Sequence, residues 1–266
     1  SLLAALWCGP AAASPDTVDF TDLTWTEIRN AVQGGDTTII LPVGGTEQSG
    51  PYIAVGKHDV RALLLARRIA RAAGHALVAP VVAYVPEGGT SPRTSHMRFP
   101  GTISITPATF RALLSDAAES FRVQGFTRVV LIGDHGGYQK DLRMVADTLN
   151  HRWQAAGAHV LYVPAYYDVV PGAYATWLRQ HGHAAEVGTH ADLSDTALML
   201  ALDPALDTER AYDGKGLPGQ EIFPPESRWH SDVKPLGIDL DQSKKLLAEA
   251  KKDGYDGTLT YMDGTD

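Results

Sequence analysis

The feature that most limits how this chain folds is the alternation of short, β-branched apolar runs with longer amphipathic segments. Thr38–Val43, Leu77–Val82, Arg128–Ile132 and His159–Val163 read as strands. The run Val129-Val130-Leu131-Ile132 is apolar throughout, as expected of a strand covered on both faces. Helical patterns separate these runs: one from near Asp59 to Gly74, one from Thr106-Pro107 to about Gln124, and one from Gln139 to Ala156. Thr24 reads as the N-cap of a further short helix reaching Val32. Strands alternating with helices of this length predict an α/β fold, a mostly parallel sheet sandwiched between helices. Pro80 marks the Leu77–Val82 run as an edge strand or a bend. No repeat or composition break divides the 266 residues, so residues 15–266 are read as a single domain.

The most informative stretch follows the first strand. Gly44 and Gly45 break it, and Thr46-Glu47-Gln48-Ser49-Gly50-Pro51 then leads to Lys57-His58-Asp59. Two carboxylates and an imidazole are thus placed at the carboxyl end of a strand, where open α/β sheets gather their ligands. Hard oxygen and imidazole donors together suit a divalent cation. Taken singly, Glu47 also fits a turn cap and Asp59 a helix cap. The central strand ends in Asp134-His135-Gly136-Gly137, which delivers His135 to the same sheet edge. A third segment, Gly188-Thr189-His190-Ala191-Asp192-Leu193-Ser194-Asp195-Thr196, precedes the apolar run Ala197–Leu202. If Ser194 or Asp195 caps that helix, Asp195 has a purely structural role. The functional reading makes His190 a general acid or base, since imidazole titrates near neutrality, and gives Asp195 a supporting or ligating role.

Composition narrows the partners. A formal charge of −8, with no dense Lys/Arg stripe, argues against nucleic acid. Arg67, Arg68 and Arg71 cluster on the solvated face of a helix. No apolar run approaches the length of a membrane span. The lone Cys8 excludes an internal disulfide. The apolar Ser1–Cys8 run followed by Ala11-Ala12-Ala13-Ser14 reads as the end of a secretory signal peptide over residues 1–14, so an exported, periplasmic or secreted protein is expected. No nucleophile elbow, phosphate loop or dinucleotide fingerprint is present.

Four blocks in order, Leu41–Gln48, Phe99-Pro100-Gly101-Thr102, Gly133–Gly137 and His190-Ala191 through Asp195-Thr196, resemble the creatininase (creatinine amidohydrolase) family. They span about residues 38–204. The resemblance implies a parallel sheet sandwiched by helices and a homo-oligomer, often a hexamer. It implies hydrolysis of a C–N bond in a small or cyclic amide with a divalent metal ion as cofactor, zinc or manganese before iron, and a small molecule as substrate. By position, Glu47, Asp59 and His135 match the family's metal ligands, and His190 matches its proton-shuttling histidine. Asp195 stands where many members have a metal-contacting glutamate, and His96 where many place a polar residue at the pocket mouth. Two positions depart: Ser49 replaces a histidine and Gly137 a glutamate, both of which help hold a second metal. One well-held metal is therefore expected, or a second site rebuilt from His58 or Asp195. Trp177 is a candidate for the family's pocket-closing tryptophans and equally for a packing residue. Two readings stay open beside amide hydrolysis: a lactone hydrolase with the same site, and a non-catalytic binding protein on a decayed hydrolase fold.

Overall fold

A computed structural model describes residues 17–50, 53–190 and 192–203. The expected signal segment at residues 1–14, the proline-bearing stretch from Gly214 to Gly237 and the expected helix from Ser243 to Lys252 lie outside the described residues.

Four parallel strands form the sheet: β1 (Thr38–Val43), β2 (Ala76–Val78), β3 (Arg128–Gly133) and β4 (His159–Tyr162), in the order β2-β1-β3-β4. The chain steps from β1 to one neighbour and then crosses back to the other, so the order reverses between β1 and β3. Their ends are in register, Val43 beside Gly133. This reversal leaves a crevice at the carboxyl ends of β1 and β3, the place where open α/β sheets bind ligands. β2 is an edge strand that stops before Pro80, as a residue without an amide donor requires.

β1, β2 and most of β3 are buried on both faces, while β4 leaves His159 and Leu161 exposed, and alternate residues feed two cores. Ile39, Leu41 and Val43 of β1, with Val129 and Leu131 of β3, pack among Phe110, Leu114 and Ala118 of α3 (Pro107–Val123) and Leu142, Val145 and Leu149 of α4 (Gln139–Arg152). Ile28 and Val32 of α1 (Trp25–Gln33) close the same face. On the opposite face, Ile40, Val78 and Ile132 meet Ala66 and Ala70 of α2 (Lys57–Ala73). Alanines there let the helix lie close to the sheet.

The helix boundaries follow their capping chemistry. Thr24 accepts from the Glu27 amide while Glu27 reaches back to the Thr24 amide, a reciprocal cap for α1. Thr106 caps α3 with Pro107 at its first turn. α2 begins at Lys57, two residues before the expected start, which puts Lys57 and His58 on the helix and inside the protein. After β4 the chain forms α5 (Ala165–Asp168), a wide π-type turn over Val170–Tyr174, α6 (Ala175–Gln180) and α7 (Leu193–Leu202). α7 starts earlier than the apolar run implied, because Asp192 is its cap: the Asp192 carboxylate accepts from the Asp195 amide. Neither Ser194 nor Asp195 serves that role, and the Asp195 carboxylate is engaged by Lys57 and Arg61 instead. Among the described residues no helix is long and apolar enough to cross a membrane.

Candidate metal centre

Three crossing loops meet at the crevice. The loop after β1 carries Glu47, the loop after β3 carries Asp134 and His135, and the long connection after β2 brings Glu87 and His96 across the top. A single hydroxyl ties the first two together. Tyr138, fully buried, accepts from the amides of Asp134 and His135, and its hydroxyl lies 2.8 and 2.6 Å from the carbonyls of Val43 and Gly44 to which it donates. Glycine is needed where carboxylates pass close to the backbone. A Cβ on Gly44 would stand 2.2 Å from Asp59 Oδ1, and one on Gly45 would stand 2.8 Å from Glu87 Oε1.

Glu47, Glu87, His96 and His135 each present a ligating atom, all within 4.8 Å of one another. Glu47 Oε2 stands 3.2 Å from His96 Nδ1 and 3.3 Å from His135 Nε2, and Glu87 Oε1 lies 3.7 Å from His135 Nδ1. Despite these approaches, Glu47 Oε2, both Glu87 oxygens and His96 Nδ1 are buried without a hydrogen-bond partner among the described residues. Such groups cost 1–3 kcal/mol or more each when left unmatched. Two carboxylates and two imidazoles converging with their lone pairs unused form a donor set for a divalent transition metal.

The other Glu47 oxygen faces a different environment. Oε1 pairs with His58 Nε2 at 2.9 Å and accepts from the Ser49 hydroxyl at 3.4 Å, with His190 Nδ1 at 3.8 Å and Lys57 Nζ at 4.0 Å. One carboxylate thus has an oxygen surrounded by donors and an oxygen left for a cation. Burial alone would raise the Glu47 pKa, but the imidazoles of His135 and His58 hold it well below the usual carboxylate range. Glu87 behaves oppositely: burial, reinforced by the nearby Glu47 charge, pushes it up to about 8. Two adjacent carboxylates driven apart in this way share one proton when no metal is present.

The remaining residues singled out from the sequence fall around this group. Asp59 does not join it. Its Oδ1 accepts from the Gly45 amide at 2.8 Å and its Oδ2 from the Thr46 hydroxyl at 3.3 Å, so it shapes the loop that presents Glu47. Burial raises its pKa. His58 is clamped between Glu47 and Asp134, with Nδ1 2.6 Å from Asp134 Oδ2. Asp195 is turned away from the cluster: it binds Lys57 at 2.6 Å and Arg61 at 2.8 Å, and Arg61 continues to Asp134 at 2.7 Å. Against the cost of burial, these two cations keep the Asp195 carboxyl below its ordinary range. The result is a buried chain of ion pairs and hydrogen bonds, Lys57–Asp195–Arg61–Asp134–His58–Glu47, which fixes the orientation of Glu47 from behind.

His190 sits at the open side, its ring 4.7 Å from that of His96. Partial burial lowers its pKa, joined by the nearby His96, Lys57 and His135, against an opposing pull from Glu47. Trp177 is not on the cavity wall; it stacks on His181 at 4.1 Å on the outer side of α6. Glu87 was not among the residues singled out from the sequence: it lies in the long connection after β2, ahead of Gly88-Gly89 and nine residues beyond the strand end.

A family model described as creatinine amidohydrolase matches residues 21–253. The chain belongs to the creatininase family. Creatinine amidohydrolase of Pseudomonas putida is 30% identical over 213 residues, 76% of this chain and 80% of that protein. A mycofactocin precursor peptide peptidase of Mycolicibacterium smegmatis is 28% identical over 80% of this chain and 78% of its own length. Among solved structures, a creatininase mutant described as the Zn-Zn type superposes with a TM-score of 0.58 at 27% identity, covering 81% of this chain and 83% of that one. The parallel α/β architecture is thus the creatininase fold, and this creatininase-family chain is a hydrolase.

The metal-free protein should lose stability with rising pH. Folding holds the Glu87 proton more tightly than the unfolded chain does, where the carboxyl has its ordinary value near 4.5. That contribution is complete below about 4.5 and disappears as the pH passes about 8. Glu47, held low, acts outside this window, its contribution failing only in acid. Denaturant titrations of chelated protein at several pH values should show the slope, and Glu87→Gln should flatten it. An unchanged slope in that variant would place the proton elsewhere.

Proposed function

We propose that Glu47, Glu87, His96 and His135 hold one divalent metal ion, zinc or manganese, and that the protein hydrolyses the C–N bond of a small-molecule amide. What carries this reading is the set of buried, hydrogen-bond-free donor atoms on Glu47, Glu87 and His96 pointing at a common centre. A dication bound there would lower the pKa of water toward neutrality and polarise an amide carbonyl. Everything else falls to the chain. Glu47 Oε1, fixed by His58, keeps Oε2 aimed at the centre. His190, in its neutral form at neutral pH, takes a proton from the attacking water and delivers it to the departing nitrogen. Water adds to the carbonyl carbon, the C–N bond breaks, and a carboxylic acid and an amine leave.

A single ion, where the similar creatininase is described as Zn-Zn, follows from the same residues. The side of Glu47 away from Oε2 is occupied by donors from His58, Ser49 and Lys57 rather than by further ligands. Ser49 and Gly137 supply no imidazole or carboxylate there. Elemental analysis of purified protein should find one zinc or manganese per chain. Chelation should abolish hydrolysis of amides across a panel of cyclic amides, formamides, linear amides and lactones, and re-addition should restore it. Protein that turns over amides at full rate after exhaustive chelation would overturn the assignment.

A further inference from the structure

His190 is carried on a stretch that packing does little to hold. Of residues 183–190 all but Val187 are exposed. The imidazole nevertheless keeps a set place, Nδ1 3.8 Å from Glu47 Oε1 and its ring 4.7 Å from that of His96. A segment with so little burial is held mainly through its hydrogen bonds. Two of them tie it to the start of α7. The Leu193 amide donates to the Glu186 carbonyl at 3.1 Å, and the Gly188 amide donates to Asp192 Oδ2 at 3.0 Å. The second bond closes a turn with His190 at its middle.

Asp192 spends its two oxygens on two different amides. Oδ1 accepts from the Asp195 amide at 2.9 Å and caps α7, while Oδ2 takes Gly188. A helix cap needs one acceptor, which serine or asparagine supplies as well as aspartate. Two acceptors on a side chain this short belong to aspartate alone. The approach is close: a Cβ on Gly188 would stand 3.2 Å from the Asp192 Cβ. The start of α7 is itself fixed, with Ser194 and Asp195 buried and the Asp195 carboxylate bound to Lys57 and Arg61. From Arg61 the contacts continue through Asp134 and His58 to Glu47. His190 and Glu47 are thus both referred to one buried anchor on α2.

We propose that Asp192 is the positioning residue for His190, its second carboxylate oxygen holding the Gly188–His190 turn against α7 so that the imidazole faces the metal centre. This rests on the proton-transfer role given to His190 above, and adds the group that sets its place. Asp192 acts through the imidazole and not on the reacting atoms.

The test compares Asp192→Ser, which keeps one acceptor for the cap and loses the other, with Asp192→Ala, which loses both. Asp192→Ser should retain its zinc and its melting temperature. By amide exchange followed with NMR, Gly188 should exchange about tenfold faster or more in both variants, with the Asp195 amide protected in Asp192→Ser only. The His190 ring resonance of histidine-labelled protein, identified by its loss in His190→Ala, should shift or broaden in both. On zinc-loaded Asp192→Ser and the amide of the panel that is cleaved fastest, kcat should fall about 10- to 100-fold with KM little changed. Added to His190→Ala, the same substitution should lower the residual rate no further, because the two residues act as a unit. Unchanged Gly188 exchange in Asp192→Ala would overturn the proposal. So would full kcat in Asp192→Ser when His190→Ala is impaired, or an equal loss with and without His190. If His190→Ala itself keeps full kcat, the proton-transfer reading fails instead, and the Gly188 and His190 signals still decide whether Asp192 places the ring.

Discussion

Alanine at Glu47 or His135 should strip the protein of its metal and of its activity together. Each supplies a lone pair to the centre, and Glu47 is also the residue on which the His58 and Lys57 contacts converge. With several kcal/mol of transition-state stabilisation depending on the ion, turnover should fall by about 10³-fold or more. Glu87→Ala and His96→Ala should follow the same pattern, since they complete the group. Asp59→Asn provides the contrast. Asparagine still accepts from the Gly45 amide through its side-chain oxygen, so the loop keeps its shape and the metal stays. Metal per chain, measured on variants with native circular dichroism and melting behaviour, decides the matter. Loss of metal in Asp59→Asn, with retention in Glu87→Ala, would mean that Asp59 and not Glu87 belongs to the donor set.

That contrast marks where the sequence was legible and where it was not. The strands declared themselves because a parallel sheet buried on both faces needs uninterrupted apolar runs, and Val129–Ile132 has no other use. The crevice was legible for a related reason: Glu47 and His135 both follow strands immediately, so the strand ends fix where they go. Glu87 and His96 lie in a long connection whose course depends on packing across the top of the sheet, and no local pattern encodes that path. Asp59 shows the converse. It has the right chemistry and the right neighbourhood, yet starting α2 at Lys57 puts it beneath the loop, where a backbone amide and a hydroxyl claim its oxygens. Asp195 was misplaced by a cap. With Asp192 serving the α7 N-terminus, the Asp195 carboxylate turns to Lys57 and Arg61, two buried cations that an amphipathic reading of α2 assigns no partner. A buried charge is settled by its counter-charge, and here that counter-charge lies more than 130 residues away in the chain.

His190→Ala should separate chemistry from metal binding. The imidazole stands 3.8 Å from Glu47 Oε1 and beside His96, yet it is the one histidine of the group that remains substantially open to the cavity. It is therefore placed to meet the reacting atoms and not needed to hold the ion. The variant should keep its full metal content and its melting temperature while kcat falls by about 10²- to 10⁴-fold, the usual worth of a positioned proton-transfer group. KM should change little, because the lost interaction is one made as the C–N bond breaks. The pH profile supplies a second readout that a merely structural residue would not move. Burial and the neighbouring imidazoles lower the His190 pKa from 6.5, so the base form prevails at neutrality and activity should decline only as the pH drops below that value. The acid limb should vanish in His190→Ala, and exogenous imidazole should restore part of the rate with a limb set by its own pKa. Full kcat in the variant, or an unaltered acid limb, would move the proton-transfer role to another group, with His96 next in line by position.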